Sequence, residues 1–183
     1  LGNIVDSIQQ GYASKSSSEY DNTKMRELFG QGQLAFNFTG PFDVDTLKTD
    51  YPELNFKTAV IPGDGGMGVT TANGWCVAMA ANSKHKEEAA QFLAYITNPE
   101  NQARLTDSFP ASKTAMEYEQ FSSEYLKPFA DQLDNSKPEP TYSRWAEMEP
   151  IIYNYIQGAV AGNMTVDEAC EGMAKDVDAL LAY

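Results

Sequence analysis

Cysteine and histidine are scarce in this sequence, which contains Cys76, Cys170 and a single histidine, His85. A zinc site needs Cys and His ligands clustered at short spacing, and the sequence offers no such cluster. Long apolar runs are also missing, since no stretch approaches the ~18 uninterrupted apolar residues of a membrane span. These gaps exclude the zinc-binding and membrane-spanning classes.

Positive charge is in short supply as well. The chain has 13 Lys+Arg against 26 Asp+Glu, a formal net charge of −13. Phosphate backbones and anionic lipid repel so acidic a chain, and a nucleic-acid partner is not expected. The 42% hydrophobic content indicates a folded protein, and 183 residues suggest one domain or one domain plus part of a second. The chain opens at Leu1 without a basic and apolar leader, so we expect a mature product or a piece of a longer one.

Three segments are predicted to be strands, and helical patterns alternate with them. The strands are residues 34–39, 54–61 and 75–81, the last of them almost wholly apolar and therefore expected to be buried on both faces. The predicted helices cover residues 1–12, 23–29, a stretch capped by Ser83, residues 99–105, 114–121, 123–133, 145–160 with a kink or restart at Pro150, and a last helix opened by a Thr165 and Glu168 capping box. Residues 135–141 are predicted to be extended. This alternation predicts an α/β fold.

Several patterns that indicate cofactor binding, calcium binding or catalysis in other proteins are incomplete in this sequence. Gly63, Gly65 and Gly68 match the dinucleotide-binding pattern, but no helix follows directly, so a plain loop is predicted. Asp43 and Asp45 resemble the start of a calcium loop that lacks its third oxygen ligand. His85 lies between two lysines in a solvated position and is a poor catalytic base. A catalytic pair of carboxylates stays open, because acidic residues are abundant.

The aromatic residues at the ends of predicted elements are the better candidates for a binding site. Phe42 follows the Gly40-Pro41 turn, Trp75 follows Asn73-Gly74, and Tyr142 and Trp145 follow a proline-rich stretch. Ligand sites concentrate at such junctions. Flat rings stack on the C–H faces of sugars, while Asn, Asp and Arg side chains take up the hydroxyls. The alternative for each ring is an ordinary place in the core.

The order of motifs resembles that of the extracellular solute-binding proteins of carbohydrate ABC transporters, the group that includes the maltose-binding proteins. Three stretches carry the resemblance: Phe29 to Phe42 (FGQGQLAFNFTGPF), residues 74–110 with their S-K, E-A-A-x-F and N-P-E-x-Q elements, and Gly162 to Ala169 (GNMTVDEA). The resemblance implies a two-lobed periplasmic-binding-protein-like fold with ligand held in the cleft. This chain would be its C-terminal half.

The resemblance also implies how the chain is divided and which residues meet the ligand. Residues 1–62 and 111–183 would form the C-terminal lobe, and residues 63–110 would belong to or cross to the N-terminal lobe. The family commonly presents the ring of its Gly-Pro-aromatic motif to the sugar, which carries over to Phe42. The candidate ligand-binding residues are Phe42, Asp43, Asn73, Gly74, Trp75, Tyr142, Arg144 and Trp145.

The implied function is binding rather than catalysis, with no cofactor and no metal. The protein would bind a sugar or oligosaccharide outside the cell membrane, in an extracellular or periplasmic location, and deliver it to an ABC transporter permease. An anchor through a lipoprotein N-terminus outside this chain is expected. The alternatives are a solute-binding protein for another ligand, such as a polyamine, and a carbohydrate-active enzyme domain.

Three further expectations concern the chain itself. Phe42 and Trp75 are expected to line one shared concave surface. Cys76 and Cys170 are expected to be small buried hydrophobes that form no disulfide. Alone, the chain would hold one wall of a cleft, so we expect no tight sugar binding, and altered packing or self-association of the exposed 63–110 segment.

Overall fold

The computed structural model describes residues 1–182, and its regular elements are mostly helical. The helices are α1 (Gly2–Gln9), α2 (Asn22–Gly30), α3 (Phe42–Asp50), α4 (Lys86–Ile96), α5 (Pro99–Leu105), α6 (Lys113–Met116), α7 (Lys127–Leu133), α8 (Trp145–Ala161) and α9 (Val166–Leu181). The strands are β1 (Pro62–Gly63), β2 (Gly66–Met67), β3 (Thr70–Thr71) and β4 (Ser136–Lys137). In the described part of the chain, no helix is both long and apolar enough to span a bilayer.

Two compact units make up the described chain. The terminal unit contains residues 1–25 and the residues from Pro140 onward, and the central unit contains residues 26–139. These units are groupings within this chain. The predicted division into lobes concerns a whole binding protein and stays a prediction.

The terminal unit is built on helices α1, α8 and α9. Its core consists of small and branched apolar side chains, namely Val5, Ile8, Ala159, Val160 and Ala169. The predicted capping box opens α9: the Thr165 hydroxyl accepts from the Glu168 N–H, and the Glu168 carboxylate accepts from the Thr165 N–H. Gly162 ends α8 at φ 80°, a left-handed conformation that costs glycine little. Local signals therefore determine both ends of the connection between α8 and α9.

The central unit contains two apolar clusters. In one, the ring of Phe56 meets Phe29 edge-on at 6.2 Å between centroids and lies 5.0 Å from Tyr125. In the other, Ala103, Ala115 and Phe121 are buried together. Helix α5 begins as predicted, with the Asn98 side chain accepting from the Asn101 N–H and Pro99 at the first helical position.

The three predicted strands are wrong as individual elements, because residues 34–39, 54–61 and 75–81 form no strand. The sheets consist of two-residue pieces: β1 pairs antiparallel with β2, and β3 pairs parallel with β4. Every residue from 73 to 82 is exposed, so the predicted burial of 75–81 on both faces is also wrong. A strand needs a neighbouring strand to hydrogen-bond with, and within the described chain these segments pair with none.

Some boundaries also differ from prediction. Helix α4 begins at Lys86, and the Ser83 hydroxyl accepts from the His85 N–H at 3.2 Å instead of capping the helix. The predicted helix over 114–121 divides into α6 and a 3-10 turn at Glu119–Phe121, and the one over 123–133 shortens to α7. Helix α8 continues through Pro150.

Both cysteines are free and exposed. The predicted burial of Cys76 and Cys170 is therefore wrong, whereas both thiols are free, as predicted. Cys76 lies in the uncovered 73–82 stretch, where nothing packs over it. Cys170 lies on α9 beside the buried Ala169 but faces solvent, because the apolar stripe of this helix is narrower than its sequence suggested.

Candidate ligand-binding surface

The turn before α3 presents the first candidate ring. Pro41 sits in the helical region as the residue preceding the helix, and the Asp43 N–H donates to the Gly40 carbonyl at 3.2 Å. Val44 and Leu47, each 3% exposed, anchor the following turns of α3 in the core. The start of the helix is thereby fixed, and Phe42 lies at its first position.

The ring of Phe42 folds back over Gly40. A Cβ atom at Gly40 would lie 2.3 Å from Cε1 of that ring, so any other residue at position 40 would displace the ring from this position. The side chain of Phe42 is partly packed and partly open, at 36% exposure. One side of the ring thus has a fixed support while the rest is free to meet a ligand.

Asp43, another candidate, is directed into the protein. Its side chain is 1% exposed, and Oδ1 accepts from the Arg26 guanidinium at 2.7 Å. The Thr39 hydroxyl donates to Oδ2. The Asp43 interaction also raises the pKa of Arg26, which already carries its charge at any ordinary pH. Both carboxylate oxygens therefore have protein donors, and the predicted contact with ligand hydroxyls does not fit this geometry.

A glycine hairpin precedes the second group of candidates. Strands β1 and β2 form it, and the dinucleotide-like glycines lie in it as the predicted loop. The buried Gln132 fastens it: its Oε1 accepts from the Ile61 N–H at 2.8 Å, and its Nε2 donates to the Gly68 carbonyl at 2.7 Å. The Asn135 side chain donates to the carbonyls of Met67 and Gly68. The end of α7 thus determines where the chain leaves the hairpin.

Beyond the hairpin, the chain leads to Asn73, Gly74 and Trp75. The last backbone hydrogen bond before them runs from the Ala72 N–H to the Lys137 carbonyl at 3.0 Å. Trp75 follows with an exposed fraction of 104%, so its whole ring is in solvent. The ring is exposed rather than part of the core, as predicted, but the strand at whose start it was expected is not formed. Whether it shares a concave surface with Phe42 stays a prediction.

The remaining candidates, Tyr142, Arg144 and Trp145, lie in the terminal unit at the start of α8. Tyr142 is 58% exposed, and its carbonyl accepts from the Trp145 N–H at 3.1 Å. Arg144 binds both carboxylate oxygens of Glu147, at 2.9 and 2.7 Å, and also donates to the Leu180 carbonyl. The Arg144 hydrogen bond lowers the pKa of Glu147. Arg144 therefore fastens the start of α8, where Tyr142 and Trp145 lie, to the end of α9.

Sequence reasoning singled out the exposed rings but not the polar residues that hold the turns beside them. Arg26, Thr39 and Gln132 were not among the candidates, and their partners lie 17, 4 and as many as 71 positions away. Only Thr39, close in sequence to Asp43, gave a local signal. Within residues 1–182, no group of three or more His, Cys, Asp or Glu side chains is placed to hold a metal ion.

Comparisons with known proteins give the relatives of the chain. A binding protein of Brucella abortus (strain 2308) is 27% identical over 95% of this chain, which covers 44% of that protein. The sugar-binding protein MalE of the phytopathogen Xanthomonas citri is similar in structure, with a TM-score of 0.82 and 28% identity over 99% of this chain and 47% of that one. The maltose-maltodextrin binding protein of Alicyclobacillus acidocaldarius, at 15% identity and a TM-score of 0.75 over 95% of this chain and 48% of its own, has the same fold.

The chain spans about half the length of the relatives it matches. The α/β class expected from the sequence is confirmed by the match to the sugar-binding fold, even though the individual strands are not formed. The family model that matches residues 1–103 is that of the bacterial extracellular solute-binding proteins, a non-enzymatic class. The resemblance found in the sequence is thereby confirmed, and the chain belongs to the bacterial extracellular solute-binding protein family.

Proposed function

We propose that this chain is the C-terminal half of a protein that captures a sugar or oligosaccharide outside the cell membrane and delivers it to an ABC transporter permease. The observation that carries the proposal is the structural match to a sugar-binding protein over 99% of the chain at a TM-score of 0.82. Membership in an extracellular solute-binding family supports the location. A lipoprotein anchor preceding this chain is part of the proposal.

The exposed rings are the proposed sugar contacts. Phe42 and Trp75 offer faces to solvent in the central unit, as Tyr142 does in the terminal unit. Asn73 and the free donors of Arg144 would take up hydroxyls, while Gly74 lets a ligand approach the backbone. A sugar that bridges two lobes stabilises the closed arrangement over the open one, and this difference in affinity drives closure.

Residues 63–110 are proposed to pack against the lobe that the other half of the protein supplies. The support is the uncovered apolar surface of this segment: Val77 is 54% exposed, Phe92 62% and Tyr95 64%. Water-exposed apolar surface on this scale, in one continuous segment, indicates a missing neighbour. The isolated chain is therefore expected to self-associate, which light scattering over a concentration series measures.

Titration calorimetry with a maltodextrin series tests the proposed function. A longer protein that joins this chain to the other half of the fold is expected to bind at micromolar concentration. The isolated 183-residue chain should bind in the millimolar range or not at all, because each lost hydrogen bond removes about 1 kcal/mol. Preferential binding of a polyamine by the longer protein would contradict the sugar proposal, and release of new reducing ends would contradict a binding role.

Matched aromatic variants test the proposed contacts. In the longer protein, Trp75→Ala is expected to weaken maltodextrin binding about fivefold, because a stacked ring contributes roughly 1 kcal/mol beyond its area. Tyr12→Ala removes a ring that is 82% exposed in the terminal unit and that we do not assign to the ligand. It is the control, and equal losses in the two variants would contradict the assignment of Trp75.

A further inference from the structure

We infer that Asp43 is a positioning residue that, with Arg26 and Thr39, holds the Phe42 ring in its binding orientation. The inference rests on the proposed function, since it concerns a ring that we propose to contact sugar. The Asp43 carboxylate is closed off from solvent. Its side chain is 1% exposed, and each of its two oxygens accepts a hydrogen bond from a protein donor.

The contacts of Asp43 close the turn that carries Phe42. Its backbone N–H donates to the Gly40 carbonyl at 3.2 Å. Its carboxylate accepts from the hydroxyl of Thr39, the residue that precedes Gly40. The next N–H, that of Val44, donates to the Pro41 carbonyl at 3.1 Å. Phe42 therefore lies inside a turn that is held on both sides, and its backbone direction is fixed.

Gly40 completes the arrangement by receiving the ring. The ring occupies the space where a Cβ of residue 40 would lie, 2.3 Å from Cε1 and 2.8 Å from Cδ1. A turn held by Asp43 keeps Gly40 under the ring, and a turn released from Asp43 lets the two separate. The position of the ring is thus coupled to a carboxylate that points away from it.

Arg26 links this turn to helix α2. Its guanidinium donates to Asp43 Oδ1 at 2.7 Å, and its side chain is 24% exposed, so the ion pair is largely shielded from water. A shielded, hydrogen-bonded pair holds one geometry better than a mobile surface pair does. The position of the Phe42 ring therefore depends on helix α2 as well as on helix α3.

Nuclear magnetic resonance on the longer protein tests the positioning directly. In the wild type, the Phe42 ring protons should show strong proximity signals to the Gly40 α-protons and shift them upfield. Asp43→Asn and Thr39→Val are each expected to weaken these signals by at least about half while α3 stays helical, because each removes one of the contacts that close the turn. Asp131→Asn, which removes a carboxylate from the exposed Lys127 ion pair, is the control.

Unchanged Phe42 and Gly40 signals in the folded variants would overturn the inference. Should Asp43→Asn fail to fold, Thr39→Val decides alone, since it removes one hydroxyl and keeps the ion pair. Arg26→Lys keeps a positive charge opposite Asp43 and should therefore retain most of the Phe42–Gly40 signal. A loss as large as in Asp43→Asn would show that the guanidinium itself is needed to hold Asp43.

An affinity measurement separates this inference from the proposed function. In the longer protein, Phe42→Ala is expected to lower maltodextrin affinity about fivefold. Asp43→Asn should lower it by a similar factor, and the double variant should lose little more, since both act through one ring. A ring that moves without any change in affinity would confirm the positioning role and contradict the proposed contact between Phe42 and sugar.

Discussion

The terminal unit and the 73–96 stretch of the central unit differ in how well their apolar side chains are covered. In the terminal unit, Val5, Ile8 and Ala169 are at most 7% exposed, and α1, α8 and α9 cover one another. In the 73–96 stretch, Trp75, Val77 and Phe92 are more than half exposed. Both regions have strongly apolar sequences, but only in the first does the described chain supply the covering partner.

This difference shows what a half-length chain determines by itself. A helix satisfies its backbone internally, so α9 needs only a side-chain contact with α8 to be complete. A strand such as the one predicted over 75–81 needs a second strand for its backbone and a third element for each face. Residues 75–81 lack those neighbours in the described chain and are exposed, and helix α4 exposes Phe92 because no element of the described chain covers that face.

Core substitutions should separate the two regions most strongly. Ile8→Ala, at 7% exposure in α1, is expected to lower the free energy of unfolding of the terminal unit by about 2–5 kcal/mol, because it leaves a cavity. Ile4→Ala in the same helix, at 52% exposure, should change it by less than about 0.5 kcal/mol. Val77→Ala should resemble Ile4→Ala at concentrations at which the chain is monomeric. Urea denaturation followed by circular dichroism measures all three, and a large loss for Val77→Ala would show that the 73–96 stretch is covered in solution.

Glycine substitutions sharpen the comparison at smaller scale. Gly162→Ala forces a side chain into the left-handed conformation at the end of α8 and should cost about 1–2 kcal/mol. Gly74→Ala meets no atom within 4 Å and no positive φ, so its effect on stability should be near zero. Thermal unfolding of both variants is the measurement, and similar melting temperatures would contradict the local role of Gly162.

Helix starts offer a third contrast, between a capped and an uncapped helix. Thr165→Ala removes the cap of α9 and is expected to destabilise the terminal unit by about 1 kcal/mol. Ser83→Ala removes a hydroxyl that accepts only from the His85 N–H, outside α4, and should cost a few tenths of a kcal/mol at most. Amide hydrogen exchange in α9 and α4 reports each effect separately. Equal losses of protection would indicate that Ser83 caps α4 in solution.

The smallest expected effect is the pH dependence of the α9 cap. Hydrogen bonds from the Thr165 N–H and hydroxyl lower the pKa of Glu168 in the folded chain. A lowered folded pKa contributes stability that is full above the unfolded pKa and is lost as pH falls through the folded one. Glu168→Gln should therefore reduce the fall in melting temperature between pH 6 and pH 3, which are roughly the limits of carboxylate titration. Thr165→Ser keeps the hydroxyl and serves as the control that should retain the wild-type slope.

Features encoded in neighbouring residues were predictable from the sequence. Asn98-Pro99 and the Thr165 and Glu168 pair each satisfy backbone groups within four residues, so a short window contains the whole interaction. The family motif placed Phe42 at a turn for the same reason. The 54–61 and 75–81 segments could not be judged in this way, because a strand exists only with a partner, and a partner leaves no mark in the strand's own sequence.

The candidate binding residues show the same difference between local and distant contacts. Their exposed rings follow glycine and proline turns and were found, as Phe42 and Trp75 illustrate. The hydrogen-bond partner of the Asp43 carboxylate was not predicted, because Arg26 lies 17 residues earlier on another helix. Gln132 binds the glycine hairpin at residues that lie 64 or more positions earlier in the chain, and no residue near Gln132 in the sequence indicates that role.

The two exposed thiols have a practical consequence. Cys76 belongs to the central unit and Cys170 to the terminal unit, and the sequence contains no other cysteine. Each unit thus already carries one attachment point for a maleimide dye or a spin label, with no substitution required. A doubly labelled chain would report the distance between the units by energy transfer or by electron spin resonance.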